Sequence, residues 1–82
     1  TDPAEMERVV RTHAFGPFYL SHLAVPVMRT QPRGDIVMIS SIATKYFSAN
    51  GAPYNMGKAA LEALGATLAK EVNRDGIFVN TV

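Results

Sequence analysis

The chain contains no cysteine, so neither disulfides nor thiolate metal sites can supplement its core. It has no tryptophan and only 9% aromatic residues, which leaves the core to aliphatic side chains. Its charge has no dominant sign: 8 Lys and Arg stand against 7 Asp and Glu, a net charge of +1. Such a balance creates no field that would select nucleic acid or an anionic membrane, and neither is expected as a partner. Long hydrophobic runs are missing too. The longest is Ile36-Val37-Met38-Ile39, far short of the roughly 20 residues that span a bilayer, so no membrane association is expected. The first residues, Thr1-Asp2-Pro3, are neither an initiator methionine nor the basic start of a signal peptide, so the chain is expected to begin within a longer protein. With no targeting segment and no cysteine, the expected location is cytoplasmic.

What is present is a hydrophobic content of 48% with 18% charged residues, the balance of a folded chain rather than a disordered one. Its 82 residues form at most one domain. A unit of this size buries only about 60% of its unfolded surface, so alone it would be marginal.

Asp2-Pro3-Ala4-Glu5 is a helix start: Asp2 as N-cap, Pro3 at the first helical position and Glu5 closing a capping box. Gly16-Pro17 predicts a kink or restart, because proline removes a donor and disfavours helical angles before it. Leu20, Leu23, Ala24, Val27 and Met28 then follow the spacing of an amphipathic helix that Pro26 must bend and Gln31-Pro32-Arg33-Gly34 ends. Asp35–Ser40 is a short apolar run between turn residues, the pattern of a parallel strand buried on both faces. Ile42 to Ala52 lacks stable periodicity and reads as a loop. From Pro53, Leu61, Leu64, Gly65, Leu68, Ala69 and Val72 mark a second helix, stopped by Asn73-Arg74-Asp75-Gly76. Ile77–Val82 starts a second buried strand. The predicted order is helix, strand, helix, strand. The last three make a βαβ unit, part of a doubly wound parallel α/β sheet, Rossmann-like, whose other strands and helices would have to cover it.

Tyr54 and Lys58 are four residues apart on that helix, on one face and roughly 6 Å apart along the axis. A phenol ordinarily titrates near 10, so acid–base work at neutrality needs a neighbouring positive charge. One such charge at about 5 Å, in an effective dielectric near 20, favours a phenolate by roughly 3 kcal/mol. With three Tyr and three Lys in the chain, the spacing alone arises by chance in about one chain in nine. Ser41 ends the first strand thirteen residues earlier, at the carboxyl edge where open α/β sheets bind ligands. A serine at that offset lowers the chance of the conjunction below roughly 1%.

Gly34–Ser41, Tyr54-Asn55-Met56-Gly57-Lys58 and Gly76–Val82, in this order and spacing, resemble three motifs of the short-chain dehydrogenase/reductase family. Glu7 to Phe18 is similar to that family's long central helix, and the likeness covers nearly the whole chain. The resemblance implies an oxidoreductase that transfers hydride between NAD or NADP and a small alcohol or carbonyl compound. It makes Tyr54 the acid–base, Ser41 the donor to the substrate oxygen, and Lys58 the charge that assists the phenol and holds the nicotinamide ribose. Ile39 and Ser40 would join Tyr54 and Lys58 at the cofactor, and Ile42 and Tyr46 would join Ser41 and Tyr54 at the substrate. The whole of residues 1–82 would be one segment of a Rossmann-like NAD(P)-binding domain, without its Gly-rich turn or its lid. That segment alone is expected to turn nothing over. The two long helices would pair with those of a second subunit, in a homodimer or homotetramer.

The resemblance departs at His13, where the family has an asparagine in a proton relay with the lysine. Two readings stay open there: an imidazole that takes part in the relay, or one packed at the helix kink. Met38 and Phe78 stand where many members carry Asn and Arg, and read as repacking. Tyr46 and Phe47 either form an aromatic substrate wall or pack their loop onto the sheet. His22 has no second ligand at metal spacing, and no metal is expected. Two other activities remain alternatives: a non-catalytic cofactor-binding or scaffolding member of the same fold, and an epimerase or dehydratase using the same Tyr and Lys.

Overall fold

The computed structural model describes residues 1–82, and its first helix, α1 (Pro3–Val10), begins at the Asp2-Pro3 signal. The Asp2 carboxylate accepts from the Ala4 N–H at 2.9 Å, and Pro3 occupies the first turn, where a missing N–H costs nothing. Glu5 makes no return bond, so the expected capping box is half formed; at this exposed end water serves the Asp2 N–H equally well.

The expected interruption is a π-helical turn over Arg11–Phe15, after which α2 restarts at Gly16 and runs to Met28. The Gly16 N–H reaches back five residues to the Arg11 carbonyl. Pro17 explains the wide turn, since it has no N–H to donate to the His13 carbonyl four residues earlier. Helix α2 continues through Pro26.

The face that α2 buries differs from the expected one. Ser21 and Val25 are buried, whereas Leu20 and Leu23 are each 69% exposed and Val27 is exposed. The helix is apolar on more than one side, so its spacing named a stripe without deciding which stripe meets the sheet.

Strand β1 (Gly34–Met38) pairs in parallel with β2 (Ile77–Thr81), from Gly34 opposite Ile77 to Met38 opposite Thr81. Val82 N–H to the Met38 carbonyl and Ser40 N–H to the Val82 carbonyl, both 2.8 Å, extend the ladder past β1's end. The helix, strand, helix, strand order and the parallel α/β sheet are therefore observed, with α4 (Ala52–Val72) as the crossover. Burial on both strand faces is not: Val37 and Ile39 are 59% and 61% exposed, because the sheet has two strands and helices cover one side. The covered side holds the core of Val25, Val72 and Ile77, flanked by Met28, Ile36, Leu68 and Val79.

Helix α4 lies close to the sheet because its inward positions are small or aliphatic: Gly57, Leu61, Gly65 and Val72 are all buried. A Cβ on Gly65 would collide with Thr81 Oγ1 and touch Met38. The helix ends in a 3-10 turn, Asn73–Asp75, and Gly76 takes the left-handed conformation, φ 74°, that reverses the chain into β2. Arg29 pairs with Asp75 at 3.0 Å and fastens the end of α2 to this turn. The guanidinium of Arg33 lies over the Phe78 ring at 4.5 Å. The segment read as an unstructured loop contains one short helix, α3 (Ala43–Tyr46), followed by left-handed Phe47 (φ 49°) and Asn50 (φ 66°). No helix is long and apolar enough to cross a membrane.

Candidate active site

Beyond Met38 the chain leaves β1 through Ile39, Ser40 and Ser41, and α4 meets it side-on. Lys58 Nζ donates to the Ile39 carbonyl at 2.8 Å, and Ser40 Oγ donates to Glu62 Oε2 at 2.5 Å. Lys58 and Glu62 are one helical turn apart, so α4 holds two successive residues of the strand's end from one face. An ammonium has three donors; one is used here and two are left for a ligand.

Tyr54 stands one turn before Lys58, with the ammonium 5.9 Å from its ring centroid. The His13 ring meets the same phenol ring edge-on, at 5.2 Å between centroids. This contact exists because the π turn carries His13 onto Gly57, where a Cβ would lie 2.9 Å from His13 Cβ. Burial, and then the positive charge of Lys58, hold the His13 imidazole below its ordinary pKa of 6.5, so it is neutral at pH 7. His13 and Lys58 converge on a cavity of about 310 Å³ beside the end of β1, lined also by Thr12, Pro17, Ile39 and Leu61.

Ser41 lies on the other side, at a hollow of about 500 Å³ bordered by Ile42, Thr44 and Glu62. Its Oγ accepts from the Ala43 N–H at 3.1 Å, so the hydroxyl hydrogen is left to donate elsewhere. Ser41 and Tyr54 are not hydrogen-bonded to each other; their elements are joined by the bonds from Lys58 to Ile39 and from Ser40 to Glu62, and farther along the loop by Asn55 Nδ2 to the Ser48 carbonyl at 3.1 Å. Ile42, Tyr46 and Phe47 project from the α3 segment, with Tyr46 70% exposed, so Tyr46 and Phe47 do not pack the loop onto the sheet. The structure thus gathers His13, Tyr54, Lys58 and Ile39, ties Ser40 to α4, sets Ile42 beside Ser41, and leaves Tyr46 exposed.

Sequence reasoning missed Glu62. Its spacing from Lys58 puts it on the same helix face, but its partners come from a strand end that no helical period identifies.

The model of the short chain dehydrogenase family matches residues 1–82, the full chain. The chain belongs to the short-chain dehydrogenase family. A tropinone reductase homolog of Arabidopsis thaliana is 34% identical over 79 residues, covering 96% of this chain and 30% of the relative. A 3alpha-hydroxysteroid dehydrogenase of Mediterraneibacter gnavus is 32% identical over 80 residues, covering 98% of this chain and 32% of the relative. The crystal structure of a short-chain dehydrogenase from Streptomyces avermitilis superposes with a TM-score of 0.91 at 37% identity, covering 99% of this chain and 30% of that one. This short-chain dehydrogenase chain therefore spans about a third of the length of its relatives, and the expected Rossmann-type α/β fold is the family's own.

Proposed function

We propose that the chain carries the catalytic centre of an NAD- or NADP-dependent oxidoreductase acting on an alcohol or carbonyl group, with Tyr54 as acid–base. The observation that carries this reading is the double attachment of α4 to the end of β1. It joins α4, which carries Tyr54 and Lys58, to the segment that carries Ser41.

The donor set fits the nicotinamide end of such a cofactor: a phenol and an ammonium with two unused donors, on one helix face, suit the hydroxyls of a ribose. No glycine-rich turn in this chain matches a pyrophosphate, so the fit covers only this half. A bound nicotinamide supplies or accepts the hydride. In the direction of reduction, the Tyr54 hydroxyl gives its proton to the substrate oxygen and is left as phenolate; in oxidation it takes that proton back. Lys58 keeps positive charge beside the phenol during the transfer. Ser41 directs its free hydroxyl hydrogen at the same oxygen, where negative charge develops, and so stabilises the transition state more than the substrate. Ile42, Tyr46 and Phe47 favour an apolar substrate. A second copy of the protein is the proposed partner, covering the apolar hollow formed by Phe15, Phe18, Tyr19, Ala60 and Leu64.

The test is nicotinamide absorbance in the complete protein, with apolar ketones and alcohols as substrates. Turnover is expected to fall about 100- to 10,000-fold in Tyr54→Phe, while cofactor binding persists. Conversion without net change in absorbance would replace this reading with the epimerase or dehydratase alternative, and unchanged turnover in Tyr54→Phe would remove it.

A further inference from the structure

The proposed chemistry divides its groups between two elements: Tyr54 and Lys58 on α4, and Ser41 in the turn that follows β1. The two are joined along the chain by the twelve residues from Ile42 to Pro53. Between residues 39–48 and α4, the side-chain hydrogen bonds run from Lys58 to the Ile39 carbonyl, from Ser40 to Glu62, and from Asn55 Nδ2 to the Ser48 carbonyl at 3.1 Å. Asn55 holds the loop seven residues beyond Ser41, and Lys58 is committed to ligand binding in the reading above, which leaves Glu62 as the tie beside Ser41.

The Glu62 carboxylate takes hold of the chain one residue before Ser41. Ser40, the residue before, donates to Oε2. Thr44, three residues after, donates its hydroxyl hydrogen to the Ser41 carbonyl at 3.0 Å and borders the same hollow as Glu62. The Thr44 N–H meets the same Ser41 carbonyl at 3.2 Å, and the Ala43 N–H meets Ser41 Oγ at 3.1 Å. The turn carrying Ser41 is therefore closed on itself and clamped to α4 at one point. These hydroxyls, with the positive charge of Lys45 in support, hold the Glu62 carboxyl below the usual carboxylate range, so the tie is charged at neutral pH.

We propose that Glu62 is a positioning residue whose carboxylate, through Ser40, sets where the Ser41 hydroxyl stands relative to Tyr54 and Lys58. This rests on the reading that Ser41, Tyr54 and Lys58 act on one substrate oxygen. Glu62 itself touches neither substrate nor cofactor. A carboxylate serves here because its charge strengthens the bond from the Ser40 hydroxyl, and glutamine, which keeps one acceptor oxygen at the same reach, is the conservative replacement.

The test uses the complete protein and four variants: Glu62→Ala, Glu62→Gln, Ser40→Ala and the Glu62→Ala/Ser40→Ala double. Two readouts are taken: kcat and KM with cofactor and substrate, and amide hydrogen exchange over residues 40–46 without either. The expected result is a kcat lower by about tenfold to a hundredfold in Glu62→Ala and Ser40→Ala, with the cofactor KM of Glu62→Ala within about twofold of wild type. The double variant is no worse than the worse single one, because both remove one tie. Exchange over residues 40–46 quickens in these three, and Glu62→Gln recovers most of both readouts. Should Glu62→Ala fail to fold, Ser40→Ala, which removes a single oxygen, reads the same tie. Faster exchange with kcat unchanged would overturn the proposal, and so would a lower kcat with exchange unchanged. Failure of the underlying reading shows separately, as full turnover in Tyr54→Phe.

Discussion

His13 Cβ and Gly57 are packed so closely that a Cβ on the glycine would lie 2.9 Å from it. The contact fixes how near the π turn comes to α4, and hence how the imidazole edge meets the Tyr54 ring. Replacing Gly57 by alanine is expected to destabilise the complete protein by about 1–3 kcal/mol, since two Cβ atoms on rigid helices cannot both stay. Because the obstacle is the β-carbon, His13→Ala should not rescue the loss. Urea denaturation of the two single variants and the double decides it; additive losses are expected, and full rescue would contradict the packing.

The same imidazole predicts a pH dependence. Burial, and after it the Lys58 charge, lower the folded-state pKa below 6.5, so the unfolded chain takes up this proton at a higher pH than the folded one. The stability contributed by the neutral ring is fully present above pH 6.5 and is lost as pH falls toward and through the folded-state value. Unfolding midpoints measured from about pH 7.5 down to about pH 5 should therefore decline more steeply in wild type than in His13→Asn. Equal slopes would show that His13 does not carry this effect.

Lys58 has a structural bond and a proposed ligand at once. Lys58→Met keeps the aliphatic stem but loses both the charge and the bond to the Ile39 carbonyl. The expected outcome is at least about a tenfold weaker cofactor affinity together with lower turnover, the loss of one or two charge-assisted bonds. Titration of cofactor by fluorescence measures the first independently of the second.

Ser41 is expected to combine a local and a chemical role. Ser41→Ala removes the acceptor for the Ala43 N–H and should cost about 0.5–2 kcal/mol, as loss of a side-chain acceptor at a helix start does elsewhere. Ser41→Thr retains the acceptor and should restore stability. Thermal melts follow that contribution, and kcat on the same variants follows the hydroxyl's bond to substrate.

The pair of Arg29 and Asp75 marks the opposite extreme. Both side chains are partly exposed, so despite the 3.0 Å contact Arg29→Ala should cost under about 1 kcal/mol and lose even that at high salt. A larger loss, measured by urea denaturation at two salt concentrations, would show that the tie organises the α2 end.

Local chemistry made much of this legible beforehand. Proline and glycine act within a turn of where they stand, so Asp2-Pro3, Gly16-Pro17 and Asn73–Gly76 announced a helix start, an interruption and a stop at the observed places. Helical spacing is equally local, and it placed Tyr54 and Lys58 on one face before any tertiary contact was known. What the chain alone could not decide was how its elements meet. Leu20 and Leu23 fit an apolar stripe as well as Val25 does, yet it is Val25 that packs with Val72 of α4 and Ile77 of β2. Glu62 looks like any exposed helical glutamate until the end of β1 brings Ser40 to it across 22 residues. Such contacts depend on the approach of two elements, which only the packed small residues of α4 against the sheet and the π turn establish.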